Sequence, residues 1–146
     1  MKKTVKSLVI CLMAGALVTL LSGSAFFKGW RAGEAEWAYV QIPDNYNYKK
    51  AFDTAVDVLS EKYEMATVDK DERYVCTAWL FFRNAFGGED KNSRSRVTLK
   101  FSRDGKRIAV KTEVQLLITH HWKDGYIESM NLQMCEKIKS ALDNNF

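Results

Sequence analysis

The chain has 146 residues, of which 47% are hydrophobic and 27% are charged, with a single proline. This mixture is typical of one folded domain and argues against a disordered or low-complexity chain. Lys+Arg exceeds Asp+Glu by 22 to 18, but Lys2, Lys3 and Lys6 lie in the first seven residues, so the remainder is almost neutral and nucleic-acid binding is not expected.

Residues 1–25 have the layout of a secretory signal peptide. A basic segment, residues 2–7, precedes the apolar run 8–21, and small residues follow. As a helix the run would be about 21 Å long, shorter than a hydrocarbon core of roughly 30 Å, so a retained membrane anchor extending to Phe27 is the weaker alternative. The predicted cleavage region is Ser22, Gly23, Ser24 and Ala25. We therefore predict export, to the periplasm or to a membrane surface of a Gram-negative-type envelope.

The cleavage region resembles the lipobox of bacterial lipoproteins, with Ser24 at the position of the lipidated cysteine. A thiolate is a good nucleophile, whereas a serine hydroxyl is almost never ionised near neutral pH, so lipidation at residue 24 is not expected. Cys11 lies inside the apolar run and cannot replace it. Either the chain is cut after Ser24 or Ala25 as a soluble exported protein, or the serine replaces a cysteine present in relatives or in the natural form.

Residues 26–43 are predicted to be a linker or an edge strand, with Trp37–Ile42 as the strand, and residues 44–146 to be the folded domain. Capping side chains before residue 48 and a helical apolar stripe predict a helix over Tyr48–Tyr63. Strands are predicted over Met65–Asp69 and Tyr74–Phe82, followed by a long loop over Asn84–Ser95.

Two alternating strands follow, Arg96–Ser102 and Arg107–Ile118, and the Asp104-Gly105 pair between them is a strong hairpin signal. A turn is predicted at residues 123–125, and a last amphipathic helix over Ile127–Leu142. These elements predict an α+β two-layer sandwich, in which two helices cover one face of an antiparallel sheet of 3–5 strands in the order (β)αββββα.

Two cysteines, Cys76 and Cys135, remain after removal of the leader. In an oxidising compartment they could form a disulfide, and the alternative is two separate buried thiols. The sequence has no CxxC motif and no Cys/His ligand spacing, so we expect neither a structural metal nor a cofactor.

Catalytic motifs are equally scarce. The two histidines, His120 and His121, are neighbours, and in an extended segment they would point in opposite directions. We predict that the protein is not an enzyme. A cysteine-dependent enzyme that uses Cys76 or Cys135 with His120 is the weakest alternative.

The polar face of the predicted sheet is the candidate partner surface. Its residues are Arg96, Lys100, Lys111 and Glu113. The surface could dock an acidic partner, a lipid headgroup or peptidoglycan, or it could be a solvated face that only keeps the protein soluble. Trp79, Phe81 and Phe82 could add an exposed apolar patch or belong to a second core.

Several segments together resemble a known type of domain: Thr77-Ala78-Trp79, Arg94–Leu99, the Asp104-Gly105 hairpin, and Trp122 before a closing helix. Between about Asn47 and Leu142 the pattern is similar to the small αβββα domains of Gram-negative envelope lipoproteins, such as the repeated domain of the C subunit of the outer-membrane β-barrel assembly machinery. The resemblance implies a periplasmic, non-catalytic interaction domain that is usually tethered by a lipid.

We therefore expect an exported, non-catalytic interaction module whose partner is an envelope protein or a membrane surface. The alternative is an envelope protein that binds a lipid or another small apolar ligand between its helices and its sheet.

Overall fold

A computed structural model describes residues 29–144 of the chain. Its elements follow in the order ββαββββββα. The strands are β1 (Trp30–Ala32), β2 (Ala38–Gln41), β3 (Met65–Asp69), β4 (Tyr74–Thr77), β5 (Leu80–Arg83), β6 (Glu89–Phe101), β7 (Arg107–Ile118) and β8 (His121–Ile127). The helices are α1 (Tyr48–Ser60) and α2 (Glu128–Asn144). The predicted signal peptide and its cleavage region, Ser22 to Ala25, lie outside the described residues.

All the strands belong to one antiparallel sheet built around the two long strands, β6 and β7. Their register runs from Ser93 opposite Leu116 to Phe101 opposite Ile108. The outer side of β7 pairs with β2 and β8, one after the other, and the outer side of β6 pairs with β5 and β4. β1 extends the sheet beyond β8, and β3 extends it beyond β4. Each long strand therefore supports two short ones.

The α+β class is correct, but the predicted sheet of 3–5 strands and the order (β)αββββα are wrong. The sheet has eight strands in the described part of the chain. The predicted strand Tyr74–Phe82 is interrupted at Ala78 and Trp79, which separates β4 from β5. The predicted loop Asn84–Ser95 is a short turn followed by the first half of β6, and the predicted turn at 123–125 lies inside β8.

The first half of β6 was missed because its inward side chains are small and polar. Ser93 and Ser95 are buried, and they alternate with the outward Arg94 and Arg96. A strand in which both sides are polar gives no alternation of apolar and polar residues, and such alternation is the signal that identifies a half-buried strand.

A single core lies between the helices and one face of the sheet. Fully buried Phe52 and Leu59 of α1 and Ile138 of α2 pack in one cluster with Leu99 of β6 and Val110 of β7. The α1 helix begins where the Asn47 side chain caps it, accepting a hydrogen bond from the backbone N of Lys50 at 2.8 Å. Both helices therefore lie on the same side of the sheet.

The opposite side of the sheet is not covered by either helix, and we call it the open face. Successive side chains of a strand point to opposite faces, so the residues of β6 and β7 that alternate with the core residues line the open face. Neither helix in residues 29–144 combines the length and the apolar character that a bilayer crossing requires.

Candidate functional site

The open face carries all four residues of the predicted partner surface. Three cross-strand pairs of β6 and β7 place them there: Arg96 opposite Glu113, Lys111 opposite Thr98, and Lys100 opposite Ala109. Arg94 lies one step further along β6, opposite Gln115.

Three of the four predicted residues form an ionic cluster in the middle of this face. The guanidinium of Arg96 donates two hydrogen bonds to Glu113, from Nε at 2.8 Å and from Nη2 at 3.3 Å. Lys111 Nζ lies 4.0 Å from the same carboxylate and 3.8 Å from Glu34. The hydrogen bonds to Glu113 raise the pKa of Arg96. The centre of the face is thus nearly neutral, and Lys100 stands apart from the cluster.

Three half-buried tryptophans connect these charges into a continuous array. The guanidinium carbon of Arg94 lies 4.7 Å from the ring centre of Trp79 and 3.9 Å from that of Trp122. Arg96 covers the Trp79 ring at 4.5 Å. At the other end, Lys100 and Lys111 lie 5.0 and 4.9 Å from the Trp37 ring. Cations at these distances are attracted by the ring quadrupole.

We call this set the tryptophan–cation array. It consists of Trp37, Trp79, Trp122, Arg94, Arg96, Lys100 and Lys111. None of its tryptophans belongs to β6 or β7. Trp37 directly precedes β2, Trp79 lies in the break between β4 and β5, and Trp122 is paired with Leu117 from β8. The array therefore depends on the short strands that flank the two long ones.

Sequence reasoning missed most of the array. It placed Arg94 in a loop, and it assigned Trp37 to an edge strand without linking it to the charged face. It grouped Trp79 with Phe81 and Phe82, yet the structure associates Trp79 with Arg94 and Arg96. A usable signal was the alternation of arginines with small polar residues in Ser93-Arg94-Ser95-Arg96.

Arg94 is held firmly but has no acidic partner. Its Nε donates a hydrogen bond to Gln115 Oε1 at 2.8 Å, and Gln115 Nε2 donates in turn to Asp124 Oδ1 at 2.6 Å. Neither terminal nitrogen of Arg94 has a hydrogen-bond partner, and no carboxylate lies within 4.0 Å of the guanidinium, in the described part of the chain. Partial burial, together with the positive charge of Arg96, lowers the pKa of Arg94.

The structure does not bring the two cysteines of the predicted domain together, and both thiols are free. Cys76 pairs with Thr98 across β4 and β6, and its Sγ lies 3.6 Å from Thr98 Oγ1 on the open face. Cys135 belongs to α2 and packs against the core on the other side of the sheet. The sheet separates the two side chains, so the disulfide left open by the sequence is not formed.

His120 and His121 are exposed at the junction of β7 and β8. Thr119 and His120 have positive φ angles of 50° and 66°, so this is the tight turn of the hairpin. Within residues 29–144, no three His, Cys, Asp or Glu side chains are grouped so that they could hold a metal ion.

Comparison with known proteins finds no family profile that matches this sequence and no curated protein that matches it. Among solved structures, the chain is similar to a DUF4468 family protein from Bacteroides ovatus, with a TM-score of 0.41 and 11% identity. The similarity covers 75% of this chain and 80% of that one. A likeness this distant carries no argument about function, and the resemblance to envelope lipoprotein domains stays a prediction.

Proposed function

We propose that this protein is an exported, non-catalytic interaction module of the cell envelope, and that it binds a partner protein through the open face. The tryptophan–cation array carries the proposal. Tryptophan and arginine are the residues most enriched among the energetic anchors of protein interfaces. Here both types lie in contact on a sheet face that neither α1 nor α2 covers.

A face that served only solubility would not need this composition. Interspersed lysine and glutamate keep a surface soluble, and exposed tryptophan works against that purpose. Trp37, Trp79 and Trp122 are each partly exposed, and Tyr39 on β2 adds an aromatic ring that is 62% exposed. These rings offer apolar area that a partner could cover.

The core favours this proposal over a ligand held between the helices and the sheet. Phe52, Leu59, Leu99, Val110 and Ile138 fill the space between the two layers, and each is fully buried. Protein interiors packed in this way have few voids larger than a water molecule. A lipid or another apolar molecule would have to displace core side chains.

The export part of the proposal is supported by the leader alone. The basic segment 2–7, the apolar run 8–21 and the small residues that follow are the three parts of a secretory signal. Ser24 at the position of the lipobox cysteine favours a soluble periplasmic form over a lipid-anchored one.

Photo-crosslinking in cells of the native host tests the proposal. A benzoylphenylalanine at position 39 replaces one exposed aromatic residue with another on the open face. The same residue at Gln133, exposed on α2, is the matched control. We expect one discrete crosslinked species from position 39 and none from position 133. Equal crosslinking from both positions, or none from either, would contradict the proposal.

A further inference from the structure

We propose that the partner segment is extended and acidic, and that one of its carboxylates is bound by the guanidinium of Arg94 between Trp79 and Trp122. This inference rests on the proposed function and adds the chemistry of the partner to it. Some cations of the open face are already neutralised by carboxylates, and others are left to bind the partner.

Arg94 is arranged in advance to receive a carboxylate. The guanidinium carbon lies 3.9 and 4.7 Å from the centres of two indole rings, and Gln115 Oε1 accepts the hydrogen bond from Nε. The two terminal nitrogens lack partners among the described residues, and they form the edge that binds a carboxylate with two parallel hydrogen bonds. Because the side chain is already ordered, little conformational entropy would be lost when the partner binds.

The far end of the face offers a second cationic position. Lys100 lies over Trp37 at 5.0 Å and Arg107 lies over Tyr39 at 5.7 Å. Neither has a carboxylate within 4.0 Å in residues 29–144. Lys100 is six residues from Arg94 on β6, which corresponds to roughly 20 Å along a strand.

These two ends define the pattern of the partner. Between them, the carboxylates of Glu113 and Glu34 already balance the charges of Arg96 and Lys111, so a third acidic group in the middle would meet a carboxylate and gain nothing. An extended segment that fits the face therefore carries two acidic residues about six positions apart, with uncharged residues between them.

The same observations disfavour other anionic partners. Single-stranded nucleic acid binds by stacking its bases on exposed aromatic faces, but cations already cover rings of Trp37, Trp79 and Trp122. An anionic membrane is recognised by clusters of about four to eight unneutralised Lys and Arg. On the open face, β6 and β7 supply three unneutralised cations, and these lie at two separated ends: Arg94, Lys100 and Arg107.

The test uses synthetic peptides and the purified protein without its leader. One twelve-residue Ser/Thr-rich peptide carries two glutamates six positions apart, and its counterpart carries glutamine at both positions. Binding is followed by the tryptophan fluorescence of the array, at low salt. We expect saturable binding of the glutamate peptide only.

Arg94→Gln should weaken this binding about tenfold, because a charge-assisted hydrogen-bonded pair is lost. Arg103→Gln removes the same charge from the exposed turn between β6 and β7 and should weaken it less than about twofold. Lys100→Gln gives a second, independent loss at the other end. Melting temperatures of all the variants check that the fold is intact.

Equal weakening by Arg94→Gln and Arg103→Gln would overturn the inference, since it would indicate only a general charge effect. Equal binding of the two peptides would also overturn it, as would a preference for anionic vesicles or a single-stranded oligonucleotide that depends on Arg94. If position 39 still crosslinks a partner in cells, such results leave the interaction function standing and remove only its acidic partner.

Discussion

Gly125 is the residue at which β8 allows β1 to pass closely. It is buried opposite Ala32, and the indole of Trp30 and the carbonyl of Arg31 occupy the space that a Cβ atom would need. The role of this glycine is close packing, because its backbone angles are not in the left-handed region. Pairing of β1 with β8 thus requires a residue without a side chain at position 125.

Gly125→Ala should therefore destabilise the protein, by about 1–3 kcal/mol as for other overpacked sites. The free energy of unfolding in urea measures the effect. Gly88→Ala is the control, because its new methyl group would meet only the side chain of exposed Asn84. Unfolding of both variants at the same urea concentration would show that the close approach of Trp30 to Gly125 does not limit the size of residue 125.

Tyr63 provides a pH-dependent contribution to stability. The residue is buried, its hydroxyl lies 3.3 Å from Ser95 Oγ, and burial raises the pKa of its phenol. The unfolded tyrosine ionises near its ordinary value of about 10, so above that pH the unfolded state binds fewer protons than the folded state. The contribution of Tyr63 to the free energy of unfolding is complete below about pH 10, and it is lost as the pH rises through the raised pKa of the folded protein.

Tyr63→Phe should flatten this alkaline loss of stability. The observable is the difference in the free energy of unfolding between about pH 8 and pH 11, compared in the wild type and the variant. Tyr48 and Tyr74, whose pKa values burial also raises, contribute equally to both proteins and cancel. Identical pH profiles would show that Tyr63 ionises as freely in the folded state as in the unfolded one.

At the level of single residues, three of the four cations of the array, Arg96, Lys100 and Lys111, could be predicted from the sequence, whereas Arg94 and the positions of Trp37 and Trp122 could not. The outward positions of β7 follow from strict alternation, so Lys111 and Glu113 could be assigned to one face. Trp37 and Trp122 join that face through pairing with distant segments, and local periodicity holds no information about such pairing. Whether the face binds a partner stays a prediction.

Among the elements, α1 was the most predictable because its signals are local. Its start at Tyr48 follows from the Asn47 cap, and its stripe includes Phe52 and Leu59. The helix ends at Ser60, three residues before the predicted end at Tyr63. The prediction was too long because Tyr63, which lies in the turn after the helix, packs against the core and so continues the apolar stripe.

Removal of the α1 cap gives a prediction at this scale. Asn47→Ala should cost about 1 kcal/mol, because the backbone N–H of Lys50 loses the acceptor that it has at 2.8 Å. Asn47→Asp keeps an acceptor and should retain most of the stability. Thermal unfolding of the three proteins measures the order. A melting temperature for Asn47→Ala equal to that of the wild type would contradict the role of the cap.

The sheet was less predictable than the helices because its width depends on which short strands share a long one. β2 and β8 both pair with β7, at opposite ends of that strand. Alternation identifies a strand and its buried side, but it does not indicate that two other segments align end to end beside it. The sheet therefore has eight strands in the described residues, where 3–5 were predicted.

For the whole molecule, the separation of the two thiols by the sheet predicts the redox state of the proposed exported form. After removal of the leader, Cys76 and Cys135 are its cysteines, and burial raises the pKa of the Cys135 thiol. We expect alkylation under denaturing conditions to add two labels without any reductant. An increase from no labels to two on reduction would instead demonstrate a disulfide.

The same mass spectrum tests the leader. The mature protein should begin at residue 25 or 26 and carry no added diacylglyceryl group, since Ser24 lacks the thiolate that lipidation requires. A full-length mass from a cytosolic fraction would contradict export.

The most direct test of the open face as the working surface is oxidative footprinting of its tryptophans. The oxidation rates of three residues, Trp37, Trp79 and Trp122, are measured in the purified protein and in intact cells of the native host. Phe86, which is 98% exposed, is the internal reference. Binding of a partner through the open face should make all three tryptophans several-fold slower to oxidise in cells, relative to Phe86. Unchanged relative rates at the three positions would contradict it.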